Sequence, residues 1–214
     1  MDLEKVRKEW DSKYLKEELE KRYLPHYGRK FYEELKDLKG SILDIGCGDL
    51  GCWSEDVKNQ INLVGLDISK IALQRAKAIN RKFKLVFGVA QNLPFKENSF
   101  DNVICIETIM HAGPDYKQGL EELKRVSKKD IVLTFSHKDY TEKQGISVKD
   151  NIAEYRQLIG NKPIAVFNED DVIKLMKELN LNINKMKVYT VEELGIKDFP
   201  QETKAVIYIE CEKK

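Results

Sequence analysis

ILDIGCGDLG, residues 42–51, is a short apolar run that breaks directly into glycines. Residues 41–45 read as a strand. Gly46 and Gly48 follow it at once, and glycine at such a point lets the backbone turn tightly and approach a ligand closely. The next apolar run, residues 61–66, ends at Asp67, which lies 23 positions after Asp44. In open α/β sheets, ligands bind beyond the carboxyl ends of the strands, where strand order reverses. The glycine turn and Asp67 therefore mark one end of a parallel sheet.

The pattern continues outward from that stretch. Residues 51–59 read as a helix, and Ser69 is placed to cap another over residues 70–80. Strands are expected at 84–88, 102–107 and 130–136. Between the last two, a helix over 116–127 presents Leu120, Leu123 and Val126 on one face. Strands alternating with helices imply βαβ units wound in the right-handed sense. Residues 1–38 read as helix interrupted near Pro25, unusually rich in aromatics (Tyr14, Tyr23, Tyr27, Phe31, Tyr32). Near the other end, Asn168 can cap a helix whose Val172, Leu175, Met176 and Leu179 follow helical spacing. Two strands, 183–191 and 204–212, follow with no strong helix between them, which predicts an antiparallel pair at the sheet edge. Residues 138–165 fit no core element and read as an inserted helix, about 151–159, plus a loop forming a lid. The whole is one domain: helical cover 1–38, core 41–136, lid 138–165, and tail 168–214.

The composition sets bounds. Of 214 residues, 42% are apolar and 34% charged, with 37 Lys and Arg against 36 Asp and Glu. A chain this long can bury a core without staples. Near-neutral charge argues against a protein that grips nucleic acid through its global charge. The cysteines at 47, 52, 105 and 211 are scattered, two of them inside apolar runs, which fits reduced thiols and a cytoplasmic protein. MDLEKVRKEW has no apolar signal region, and no run reaches the ~18 apolar residues of a membrane helix. Cys47, Cys52 and the three histidines show no metal-ligand spacing. No feature specifies an oligomeric state.

Two cofactors suit the glycine turn. Gly46-x-Gly48-x-x-Gly51 satisfies the dinucleotide fingerprint, in which a helix N-terminus faces a pyrophosphate. Asp44, two residues before the first glycine, opposes that anion. S-adenosylmethionine carries a sulfonium and an ammonium instead, and a nearby carboxylate favours both. Asp67 suits the adenosine ribose of either. The stretches DIGCG (44–48), LDIS (66–69), LPFKENSFD (93–101) and ELKRVSKKDIVLTF (122–135) occur in the order and at the spacing of the class I S-adenosylmethionine-dependent methyltransferases, of methyltransferase type 11. The chain resembles that family over about residues 41–136. The resemblance implies a Rossmann-like, doubly wound sheet of seven mainly parallel strands with an antiparallel C-terminal strand pair.

It also implies roles. Asp44, Gly46, Cys47 and Gly48 would line the methionine end of the cofactor. Asp67 would hold the ribose, with Ile68 against the adenine and the segment through Ala90 and Gln91 along its edge. Ile106 and Glu107 would lie beneath the methyl group. Two departures stand out. Leu50 takes a place usually filled by glycine, and Val89 one often filled by Asp. His111, just past the fourth strand, and Glu107 are the candidate general bases. His26 and His137 read as structural, and Trp10 and Trp53 as packing. The linker at 93–101 resembles that of small-molecule enzymes, so a small-molecule acceptor is expected and nucleic acid is not favoured. Two alternatives remain at this stage: a methyltransferase acting on RNA or protein, and a nucleotide-binding protein or NAD-type oxidoreductase using the same loop.

Overall fold

A computed structural model describes residues 2–15, 26–53, 62–79, 84–155, 162–196, 200 and 203–214. The apolar run before the glycines is β1 (Ser41–Ile45), and it lies mid-sheet. It pairs in parallel with β2 (Asn62–Asp67) on one side and β4 (Phe100–Cys105) on the other. Beyond β2 lies β3 (Lys84–Phe87), and beyond β4 lies β5 (Ser127–His137), both parallel to their neighbours. β10 (Lys204–Lys213) runs antiparallel to β5, and β9 (Leu181–Thr190) antiparallel to β10. The chain thus leaves β1 for β2 and β3, then returns to β4 on the opposite side. The reversal opens a crevice beyond the ends of β1 and β4.

Both faces of this sheet are buried, as parallel sheets require. Alternate residues divide between the two cores. Leu43, Val103, Leu133 and Ile207 pack with Leu120 and Leu123 of α4 (Tyr116–Val126) and Val172 and Leu175 of α6 (Glu169–Glu178). Ile42, Ile104, Val132 and Tyr208 pack on the other side with Phe31 of α2 (His26–Glu33), Leu50 and Trp53. The remaining helices are α1 (Leu3–Leu15), α3 (Lys70–Ile79) and the short α5 (Lys138–Lys143), with a 3-10 segment at Ile109–Asp115. Ser69 caps α3, its Oγ accepting from the Ala72 N–H at 3.1 Å. Asn168 and Asp171 form a reciprocal capping box on α6 at 2.9 and 3.1 Å. The helices expected over 1–38 are seen as α1 and α2, with 16–25 outside the described residues, as is most of the helix expected at 51–59.

The segment read as a helical lid folds differently. No helix begins at Asn151. Instead β6 (Val148–Lys149) and β7 (Ile152–Tyr155) form a hairpin, and β8 (Lys162–Phe167) pairs with β7; residues 156–161 lie outside the described set. Asp150 and Asn151 both take positive φ, 50° and 63°. That is the two-residue hairpin turn, and Asp and Asn tolerate it better than most residues. The Asp150-Asn151 pair between Lys149 and Ile152 was the signal to read. β8 then pairs in parallel with β5 at Ser136 and His137. Since β10 occupies the other edge of β5 at Ser136, β8 continues the edge that β4 leaves at Cys105. The three added strands bring the described sheet to ten rather than seven. They also place the hairpin beside the mouth of the crevice.

Candidate active site

The glycine turn owes its shape to contacts on both sides. Gly46 has φ +74°, and its N–H donates to Leu66 O at 2.7 Å, tying the turn to β2. A Cβ there would overlap the Thr108 side chain. Gly48 has φ +56°, and a Cβ there would meet the Tyr14 hydroxyl. Leu50, where a glycine was expected, does take the glycine-like backbone at φ +62°. Its side chain is fully buried with Tyr32 and Trp53. The left-handed region costs a side-chain-bearing residue about 1–2 kcal/mol, and deleting a buried leucine costs about 2–5 kcal/mol. Leu50→Gly should therefore lower stability by about 1–3 kcal/mol net despite relieving the backbone, measured by urea unfolding. A gain in stability would show that strain outweighs packing here.

Asp67 ends β2 at the cavity wall. Its Oδ2 accepts from Gly48 N–H at 2.9 Å and its Oδ1 from Ser69 N–H at 2.7 Å. Burial pushes its carboxyl up to about 6, while those two backbone donors pull the other way. Asp44 is placed otherwise than expected. It is wholly buried behind the turn and is not part of the cavity wall. Trp53 Nε1 donates to it at 2.8 Å and the Tyr32 hydroxyl at 3.2 Å. Burial raises its carboxyl to about 7, against the pull of the Trp53 and Tyr32 donors. Trp53, read as packing, is thus also a hydrogen-bond donor.

The remaining candidates meet around one cavity of about 390 Å3. Gly46, Cys47, Gly48, Asp67 and Ile68 line it from β1 and β2; Ala90 and Gln91 from the loop after β3; Ile106, Glu107 and His111 from the segment after β4. Cys47 is otherwise buried, its Sγ 3.5 Å from Gly48 O. Val89 is on the wall too, and the Gln91 carbonyl accepts from Gln118 Nε2 at 3.0 Å. Glu107 has φ +52°, which ends the strand side of the crevice. Its N–H donates to Thr134 Oγ1 at 2.8 Å, and Thr134 Oγ1 donates to Glu107 Oε1 at 2.9 Å.

Helix α1 covers the cavity. Leu3, Val6, Trp10, Lys13 and Tyr14 all line it, and their helical spacing puts them on one face. The opposite attachment is Asp11, which is buried. It accepts from Ser69 Oγ at 2.8 Å and from the Ile71 N–H at 3.2 Å, and pairs with Arg7. Trp10 meets His111 edge to face, with ring centroids 5.1 Å apart. Sequence reading put Trp10 down as packing; its spacing from Leu3, Val6 and Tyr14 was the available signal. Met110 and Ile164 of the β8 hairpin close the far side, with Ser136 Oγ 2.8 Å from Met110 Sδ. His137 is elsewhere. It is buried at the start of α5, its Nδ1 accepting from the Asp139 N–H at 3.0 Å and its Nε2 2.9 Å from Glu169. The side chains of His26 and Tyr27, and all of Tyr23, lie outside the described set. Among the described residues, no group of three metal-ligating side chains gathers and no helix is long and apolar enough to cross a membrane.

Residues 43–135 match the family described as a methyltransferase domain. The chain is 34% identical over 119 residues to an uncharacterized protein of Methanocaldococcus jannaschii, covering 55% of this chain and 49% of that one. It is 40% identical over 97 residues to the demethylmenaquinone methyltransferase of Shouchella clausii, covering 41% of this chain and 40% of that one. This chain therefore spans half or less of these curated relatives. A magnesium protoporphyrin IX methyltransferase from Synechocystis PCC 6803, solved with S-adenosylmethionine bound, shares the fold at a TM-score of 0.62 and 14% identity, over 100% of this chain and 98% of that one.

Proposed function

We propose that this protein transfers a methyl group from S-adenosylmethionine to a small-molecule acceptor, a reading supported by the match of residues 43–135 to the methyltransferase-domain family. The observation that carries the reading is Asp67. Its carboxylate is buried at the cavity wall beside the glycine turn, and the two backbone N–H groups at 2.9 and 2.7 Å use only part of its acceptor capacity. A ribose diol donating two O–H groups matches what remains. Among the described residues, Asp49, Asp67 and Glu107 line the cavity against the single positive charge of Lys13, a balance that suits a sulfonium and an ammonium and opposes a pyrophosphate. That charge set disfavours the dinucleotide alternative.

S-adenosylmethionine bound here would supply a methyl group already activated on a positive sulfur. The protein's part is orientation and electrostatics. Gly46 and Gly48 allow the backbone to close on the amino-acid end. Asp44, behind the turn, does not touch the cavity; it holds Trp53 and Tyr32 against the turn by hydrogen bonds. Asp67 fixes the ribose, while Ile68, Ala90 and Gln91 bound the adenine. Ile106 and Met110 exclude water from the reacting centre. His111 would take the proton from an acceptor O–H or N–H at an imidazole nitrogen, and Trp10 packs edge to face against that imidazole. The apolar wall from Met110, Trp10 and Ile164 supports an acceptor with an apolar body; the likeness to a demethylmenaquinone methyltransferase supports a small one.

Calorimetry with S-adenosylhomocysteine and with NAD tests the reading. S-adenosylhomocysteine should bind, and Asp67→Ala should weaken it by about 1–3 kcal/mol, the cost of unsatisfied hydrogen-bonding groups. Binding of NAD with none of S-adenosylhomocysteine would overturn it. The affinity should also depend on pH with a definite sign. Ligand donors to Asp67 favour its ionised form, and its free carboxyl titrates at about 6. Binding should thus be tight above that pH and weaken about tenfold per unit below it. Affinity that stays flat from pH 5 to 7.5 would separate Asp67 from the ligand.

A further inference from the structure

Thr134 is wholly buried mid-way along β5, where a valine would pack as well. Its hydroxyl makes two bonds, and both go to Glu107. It accepts the Glu107 N–H at 2.8 Å and donates to Glu107 Oε1 at 2.9 Å. Thr134 does not itself line the cavity, whereas Glu107 does. One strand's hydroxyl therefore grips both the backbone N–H and the carboxylate of a residue just past the neighbouring strand.

The grip coincides with strain. Glu107 holds φ +52°, a region glutamate rarely adopts. Residues kept in such conformations cluster at functional sites, where surrounding contacts over-determine them. The next residue is pinned as well: Thr108 Oγ1 donates to Ile106 O at 2.9 Å, and the Thr108 side chain abuts Gly46. The segment 106–108 is thus fastened from β5 on one side and from the glycine turn on the other. Glu107 lines the cavity with a carboxylate whose orientation is set by a donor. A rigid anion with one oxygen committed to a hydroxyl suits a permanent cation better than a moving proton.

We propose that Thr134 is a positioning residue that fixes the Glu107 carboxylate as the anchor for the ammonium group at the amino-acid end of the ligand. This rests on the methyltransferase reading above. It assigns Glu107 to charge recognition and leaves proton removal to His111.

The test compares two ligands that differ in the amino-acid end that carries that ammonium. S-adenosylhomocysteine carries the amino-acid end; 5′-methylthioadenosine keeps the adenosine and thioether without it. Thr134→Val should weaken S-adenosylhomocysteine about tenfold and leave 5′-methylthioadenosine unchanged, and Thr134→Ser should restore the first. Glu107→Gln should show the same selective loss, and adding Thr134→Val to it should cost little more. Wild-type-like binding of S-adenosylhomocysteine by Thr134→Val, or equal loss of both ligands, overturns the proposal. Should the valine variant fail to fold, Glu107→Gln decides: undiminished S-adenosylhomocysteine binding there overturns it. Failure of the wild-type protein to bind S-adenosylhomocysteine is a separate outcome that removes the functional reading and this proposal with it.

Discussion

Asp44→Asn should remove most of the pH dependence of stability that the ligand-free protein shows between about pH 4 and 7. Asp44 has an ordinary carboxyl value of 3.8 and one of about 7 in the fold, raised chiefly by burial. The folded protein therefore binds a proton across that window while the unfolded chain has released it. Stability is then fully present below the unfolded value and falls as pH rises toward the folded one. A gap of about three units amounts to about 4 kcal/mol. The sign is opposite to that of a salt-bridged carboxylate, which stabilises as pH rises. Asparagine has the shape of the protonated acid and cannot ionise. Urea unfolding at pH 5, 6, 7 and 8 should show the wild type losing stability along the series and the variant holding level, apart from a smaller decline from Asp67, which titrates at about 6. Equal slopes in the two proteins would mean that Asp44 is ionised in the fold throughout.

The second large effect belongs to Gly46→Ala. At φ +74° an alanine incurs about 1–2 kcal/mol of backbone strain. Its Cβ would also run into Thr108, a branched side chain held in place by its bond to Ile106 O at 2.9 Å. Overpacking of this kind costs about 1–3 kcal/mol. Together these predict a loss of about 2–5 kcal/mol, which for a chain of this size lowers Tm by roughly 5–15 °C. S-adenosylhomocysteine binding should fall with it, because the turn cannot relax without moving the Gly48 N–H away from Asp67. Thr108→Ala in the same chain should recover the packing share and leave the backbone share. A double variant no more stable than Gly46→Ala alone would show that the strain is entirely in the backbone.

The sheet was legible from residues because apolar runs, glycines and caps all agree there. Ser41 through Asp67 is the plainest case: a strand, a turn, a second strand ending in an acid, then Ser69 capping α3. The tail was legible for the same reason, with the apolar run of β10 buried from Ala205 to Ile209 between β5 and β9. The hairpin at β6 and β7 was not, because its strands are short and its signal is two residues, Asp150 and Asn151, whose positive φ no hydrophobic period reveals. In the site, the cavity-lining glycines and Asp67 followed from position alone. The burial of Asp44 did not, because it depends on Tyr32 and Trp53 arriving from α2 and from beyond the turn. The cover from residues 1–38 was expected, but not which face of α1 it turns inward, so Trp10 read as packing although it lines the cavity. Thr134 was invisible for a related reason: a threonine in a strand is ordinary until its neighbour's backbone is known.

The way the hairpin is attached divides the cavity into a constant part and an exchangeable one. Asp67, the glycines and Glu107 are carried by strands paired along their lengths with both neighbours. Among the described residues, the hairpin joins the sheet through β8, which meets β5 in two register pairs, Ser136 with Val166 and His137 with Phe167. Its Ile164 nonetheless reaches the wall near Met110 and His111. Substitutions there change the room beside His111 while the donor-holding groups stay where the sheet keeps them. On the proposed function, acceptor preference would therefore be open to redesign one strand at a time, with cofactor affinity as the internal control.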